Sequence, residues 1–262
     1  MNMQYYWNGD RNNRRLYAQS HTKEMEEKWI KEIIQSCEET KEYFPDTTLN
    51  KMKELEHIQV FLCPENSVEA IFNHAAGRTA VLNFASYKEP GGKFIDGSRA
   101  QEECLCAESY LYNVLKRFQH YYDWNKNKHL DLAMYRNRAL YTPNIVFFHD
   151  NQSMCCDVIT CAAPNITPSR KYGWGITKEK NSEVLDSRIK FVLDVAEDNQ
   201  VDTLILGAFG CGVFGQDAEE VAKIFVKYLK AHKVFKKIIF AIPQDIHCEN
   251  YNKFKKYWRK IK

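Results

Sequence analysis

The sequence predicts an α/β fold, a mixed sheet sandwiched by helices, and three observations carry that reading. Six short apolar runs, HIQVFLC, TAVLNFA, NIVFFHD, CCDVITCAA, TLILGAF and KIIFAI, recur between residues 57 and 242. Segments with helical spacing separate them, and strands alternating with helices pack as helices layered on a mostly parallel or mixed sheet. No repeat, low-complexity tract or Pro/Gly/Ser linker interrupts the pattern. The 262 residues are 44% hydrophobic and 27% charged, an ordinary globular composition. A chain of this size buries roughly three quarters of its unfolded surface, so it needs no disulfide staples.

Residues 10 to about 43 are polar and charge-rich, with Leu16, Trp29, Ile33 and Ile34 at helical spacing. They predict one or two helices outside the sheet. The expected division is an N-terminal helical accessory region at 1–50 and the α/β domain at 51–262.

After TAVLNFA comes SYKEPGGKFIDG, in which Pro90, Gly91, Gly92 and Gly97 favour turns over regular structure. A helix is then expected, with Ser98 as N-cap and Gln101 completing a capping box. Its inward stripe reads Cys104, Ala107, Leu111, Val114, Leu115 and Phe118. Glu102 and Glu103 lie off that stripe, in the first turn, facing whatever the glycine loop holds. A helix N-terminus stabilises such carboxylates as anions by about 0.3–1 kcal/mol. A general acid at neutral pH needs the opposite shift, from burial or a neighbouring negative charge. The sequence leaves both open. Successive helical residues diverge by about 100°, so this pair is poorly placed to flank one bond from opposite faces. One is expected to act as acid while the other binds sugar hydroxyls.

The stretch 164–182, PNITPSRKYGWGITKEKNS, reads as a long surface loop. Further on, TLILGAFGCGVFGQDAEEVAKIF ends a strand near Leu206, places glycines at 207, 210, 212 and 215, and starts a helix near Asp217. Asp217 and Glu220 have capping-box spacing. Gly210, Gly212 and Gly215 match G-x-G-x-x-G literally. The dinucleotide fingerprint, however, belongs to a first βα turn and wants an acidic residue about 20 positions on. Here that stretch is AHKVFKKIIF, which is basic. What survives is an anion site built from unobstructed backbone N–H groups beside a helix N-terminus, and a diphosphate fits it.

The net charge of +3 conceals twelve Lys or Arg against Asp245 and Glu249 in residues 221–262. These form a solvated helix face with a basic tail, or a patch that steers polyanions. No aromatic-basic module points to sequence-specific nucleic-acid binding. The nine cysteines sit in apolar runs, and Cys104-x-Cys106 and Cys155-Cys156 lack zinc-ligand spacing. Reduced thiols, no metal and a cytoplasmic location are expected, since MNMQYYWNGDRNNRR holds no secretory core. No apolar run approaches the ~20 residues needed to cross a bilayer.

The run VLNFASYKEPGGKFIDGSRAQEECLCAESYLYNVL, followed in order by NIVFF, VITCAAPN, LILGAFGCGVFG and IIFAI, closely resembles the bacterial-type poly(ADP-ribose) glycohydrolases. The similarity spans about residues 57–242, with a looser match of the N-terminal helices to the family's accessory region. The resemblance implies a macrodomain-like catalytic domain that binds ADP-ribose at the sheet's C-terminal edge. It also implies exo-acting hydrolysis of the ribose–ribose O-glycosidic bond, without metal or cofactor. The partners implied are ADP-ribose, poly(ADP-ribose) or ADP-ribosylated macromolecules. Carried over, Glu103 matches the glutamate that protonates the leaving oxygen, and Glu102 the one that holds ribose hydroxyls. Asn83 matches the asparagine that contacts the terminal ribose. Gly91 and Gly92 match the catalytic glycine loop, and Gln101 heads the Gln-Glu-Glu signature among the substrate-binding residues. Gly210, Cys211, Gly212 and Val213 match the diphosphate loop, and Phe214 the aromatic against the terminal ribose. Ala241 and Ile242 fall near the adenine wall. Lys93 departs from the family's third glycine. If that position requires a left-handed backbone or close approach to the ligand, a lysine there is strained or obstructive; its ammonium could instead reach the diphosphate. Full activity, a mono-ADP-ribosyl hydrolase, or an ADP-ribose binder without turnover all follow as alternatives.

Overall fold

A computed structural model describes residues 9–126, 130–244 and 249–260. Asp245 and the last two residues of the basic tail lie outside them. All six apolar runs form strands of one seven-stranded sheet in the order β1-β4-β5-β3-β6-β7-β2. The strands are β1 (Lys41–Tyr43), β2 (Gln59–Cys63), β3 (Thr79–Phe84), β4 (Ala139–His149), β5 (Gln152–Cys161), β6 (Thr203–Leu206) and β7 (Lys237–Ala241). Strands β5, β3, β6, β7 and β2 run parallel, while β4 is antiparallel to both β5 and β1.

Ten α-helices are described: α1 (Arg11–Lys28), α2 (Ile30–Glu39), α3 (Ser67–His74), α4 (Gln101–Ala107), α5 (Leu111–Leu115), α6 (Gln119–Lys126), α7 (Thr167–Tyr172), α8 (Lys178–Asp198), α9 (Ala218–Ala231) and α10 (Glu249–Lys255). The two-residue period of the strands feeds two cores. Ala80 and Leu82 pack with Leu185, Val192 and Phe225 of α8 and α9, while Val81 faces Ile71, Leu105 and Leu111 of α3, α4 and α5. Helices therefore cover both faces of a sheet whose C-terminal edge is left to loops.

Several local expectations change. In α1 and α2 the buried residues are Tyr17, Ala18, His21, Met25, Ile33 and Ser36, while Leu16 and Ile34 face solvent. The helix expected from Ser98 starts at Gln101 with Ala100, in extended conformation, as its N-cap. Its stripe is broken at residues 108–110: Ser109 bridges to Phe147, and its hydroxyl donates to the Leu105 carbonyl (2.6 Å) and accepts from the Leu111 amide (3.0 Å). A serine hydroxyl that satisfies backbone groups on both sides ends one helix and begins another. Cys104 is only half-buried, with Leu105 and Cys106 taking the core positions. The stretch 164–182 is not a continuous loop, since it holds α7 and the start of α8. At α9, Asp217 caps the Glu219 amide at 2.7 Å as expected, but Glu220 accepts from Ser182 Oγ instead of closing a capping box.

Candidate active site

A cleft of about 1260 Å³ lies along the C-terminal edge of the parallel strands, between the loop after β3 and the loop after β6. Open α/β sheets bind ligands at this edge, where strands end and helices begin. The cleft is large enough for a nucleotide sugar.

Both glutamates are buried, at 3% (Glu102) and 7% (Glu103) exposure, and both reach the cleft. Glu102 accepts from the Ser86 amide (2.7 Å) and Asn83 Nδ2 (3.1 Å). Burial pushes its carboxyl up to about 8, helped by the charge of Glu103 and opposed by these two donors. Glu103 sits at the third position of α4 and turns back, accepting from the Ala100 amide (2.9 Å) through one oxygen and the Lys93 amide (3.0 Å) through the other. The two carboxylates converge beneath Gly92. A Cβ there would lie 2.7 Å from Glu103 Oε1 and 2.9 Å from Glu102 Oε2, and the backbone is left-handed at φ +61°. Gly92 is thus required by both conformation and space. Lys93 has φ −113°, ordinary for an L-residue, so lysine in place of a third glycine costs no backbone strain.

Gln101 holds this arrangement together. Its Oε1 accepts from the Phe84 amide (2.8 Å), and its Nε2 donates to the Leu82 carbonyl (2.8 Å) and Ser67 Oγ (3.0 Å). Its amide is therefore committed to the end of β3 and the start of α3. Asn83, fully buried in β3, bonds Glu102 and Thr160 through Nδ2, while its Oδ1 has no partner among the described residues.

At the other end, the loop 207–216 folds on itself. The amides of Phe209, Cys211, Gly215 and Gln216 donate to carbonyls within the loop. Those of Gly210, Gly212, Val213 and Phe214, residues that all line the cleft, donate to no described residue. Val213 is 77% exposed. Helix α7 braces the loop from behind, with Thr167 Oγ1 donating to the Val213 carbonyl (2.8 Å) and Arg170 Nη1 to that of Gly215 (2.6 Å). Phe214 packs on Tyr135, which stacks on Tyr87 at 4.3 Å.

Of the residues singled out in the sequence, Gly92, Lys93, Gln101, Glu102, Glu103, Gly210, Gly212, Val213, Phe214 and Ile242 line the cleft. Asn83, Gly91, Cys211 and Ala241 stand behind it: Gly91 packs on Tyr112 and Cys106, Cys211 turns toward the core, and Ala241 is a buried strand residue. The structure adds Arg11 and Arg14 from α1, Phe84 at the end of β3, Ser86 just after it, and Ser67 at the start of α3. Among the described residues, Cys63, Glu65 and His74 form a group whose ligand atoms lie within 4.8 Å, but none of the three lines the cleft. No helix among the described residues is long and apolar enough to cross a membrane.

The sequence model of the microbial-type PARG (poly(ADP-ribose) glycohydrolase) catalytic domain matches residues 11–150, more than half the chain. The chain belongs to this family. Its structure is similar to PARG from Thermomonospora curvata, with TM-score 0.84 and 27% identity over 94% of this chain and 99% of that one. It also resembles the same protein bound to the inhibitor ADP-HPD (TM-score 0.80, 26% identity, 94% and 99% covered). PARG from Deinococcus radiodurans in complex with ADP-ribose matches at TM-score 0.76 and 26% identity over 88% of this chain and 98% of that one. Comparison with curated protein sequences gave no match. The mixed seven-stranded sheet is that of the PARG fold, and is macrodomain-like.

Proposed function

We propose that this PARG-family enzyme hydrolyses the ribose–ribose O-glycosidic bond of poly(ADP-ribose), acting from the chain end and releasing ADP-ribose. The observation that carries the reading is one cleft with four uncommitted amides at one end and two converging buried carboxylates at the other. The amides of Gly210, Gly212, Val213 and Phe214 take the diphosphate, and the Phe214 ring backs the terminal ribose. Glu102 engages ribose hydroxyls, and Asn83, behind the cleft, orients it through Nδ2. With its carboxyl raised to about 8, Glu102 holds a proton at neutral pH and can donate as well as accept.

Glu103 is the general acid. The bond between the anomeric carbon and the bridging oxygen breaks as the Glu103 proton passes to that oxygen. The resulting oxocarbenium-like centre is stabilised by the substrate's own diphosphate. Water then adds to the anomeric carbon and returns a proton to Glu103. In this reading residues 1–50 are an accessory region, of which α1 braces the glycine loop and β1 joins the edge of the sheet, and residues 51–262 form the catalytic domain. The ordinary backbone angle of Lys93 favours turnover over the reading of a non-hydrolysing ADP-ribose binder.

The test follows release of ADP-ribose from labelled poly(ADP-ribose) by wild type and by Glu103→Gln. The variant is expected to lose 10²- to 10⁴-fold in turnover while still binding ADP-ribose in calorimetry. Binding without any release by wild type would return the chain to the class of ADP-ribose readers.

A further inference from the structure

We infer that the glutamate-side wall of the cleft is a second polyanion subsite, which holds the diphosphate of the ADP-ribose unit on the leaving side of the scissile bond. The inference rests on the glycohydrolase reading above. Every charged residue that lines the cleft comes from residues 11–14 or 88–103. The facing wall, from Ala208 to Phe214 with Ile242, Pro243 and Asn250, carries no charge. A diphosphate seated on that wall is met by backbone amides, and the cations opposite are left over.

Those cations are also unspent. Arg11, Arg14, Lys88 and Lys93 form no ion pair with a described carboxylate. Elsewhere the chain pairs its cations readily, as in Lys51 with Asp194 and Glu197, or Lys116 and Arg117 with Glu26. Glu89, the other acid on this wall, is taken by Lys126 at 3.0 Å. Two of the cations are pre-positioned. Arg11 Nε donates to the Asp96 carbonyl (3.2 Å), and Arg14 donates to the carbonyls of Gly97 (2.8 Å) and Gly9 (2.7 Å). Each guanidinium keeps further N–H groups for a phosphate. The wall is continuous with the chemistry, since the Lys93 amide bonds Glu103 itself. A polymer whose terminal unit fills the neutral wall must leave past Glu103, and its next diphosphate then meets these cations. This continuity favours poly(ADP-ribose) over nucleic acid as the occupant.

The experiment measures kcat/KM at low and high salt on two substrates: poly(ADP-ribose), and an aryl glycoside of ADP-ribose whose leaving group is uncharged. In Arg11→Gln/Lys88→Gln the polymer-to-aryl ratio should fall roughly tenfold at low salt, as two exposed charge contacts would give. The fall should shrink at high ionic strength. Because Arg11 also bonds the loop, Lys88→Glu alone, which touches no loop carbonyl, should move the ratio in the same direction. An unchanged ratio in both variants overturns the subsite. So does a loss of affinity for a single-stranded oligonucleotide with no change in the ratio, which would assign the wall to nucleic acid. A wild type inactive on both substrates removes the glycohydrolase reading, and this one with it.

Discussion

Gly92 lies directly over Glu103, so close that a methyl group on its α-carbon would fall 2.7 Å from the Glu103 carboxylate oxygen. The glycine does more than permit a turn, because its bare backbone is the lid under which both glutamates meet. Gly92→Ala adds a left-handed alanine and a clash with two carboxylates. It should cost about 1–3 kcal/mol in chemical denaturation. Turnover should fall about 100-fold, because shifts near 1 Å at a reacting group are that expensive. Wild-type turnover in the alanine variant would show that the loop is free to move away.

Glu102 gives a pH signature. Its folded-state carboxyl is raised to about 8 from an ordinary 4.5. Its contribution to stability is therefore fully present below about 4.5 and is lost as pH rises through 8. The slope is at most about 1.4 kcal/mol per pH unit. Glu102→Gln removes that proton linkage, so its unfolding free energy should decline less steeply between pH 5 and 8, by about 1 kcal/mol per unit. Glu108, raised to about 7 by burial, titrates in the same window, but it is common to both proteins and cancels in the difference. Parallel profiles would place Glu102 in a wetter setting than its burial suggests.

Lys93→Gly should not raise activity. The lysine backbone is unstrained at φ −113°, so glycine relieves nothing and adds unfolded-state freedom. Stability should drop by about 0.4–1 kcal/mol. A several-fold gain in polymer hydrolysis would instead mark the lysine side chain as an obstacle to the substrate.

Six of seven strands were legible because each is a contiguous apolar run bounded by polar residues. The three-residue strand Lys41–Tyr43 was not, since KEY carries no alternation of its own and exists only by pairing with Ala139–Tyr141. The break between α4 and α5 was equally hidden. It depends on Phe147, which lies far along the chain. At the site, the glycine-glutamate juxtaposition could be read from spacing. Gln101 could not: its position suggested a helix cap, whereas its amide completes the hydrogen bonding of β3. Nor does sequence tell which loop amides are consumed. Only the turns of 207–216 separate Cys211, whose amide is spent, from its neighbours Gly210 and Gly212.

Gly97 is the hinge pin of the N-terminal helix. A Cβ on it would strike the Arg11 carbonyl and lie 2.7 Å from the Arg15 amide nitrogen, so the first turn of α1 occupies the room a side chain would need. The loop that cradles the carboxylates therefore cannot swing outward unless that turn departs with it. Alignment of Glu103 is in this way coupled to a helix outside the sheet, whose first turn packs on Gly97 and bonds the carbonyls of Asp96 and Gly97.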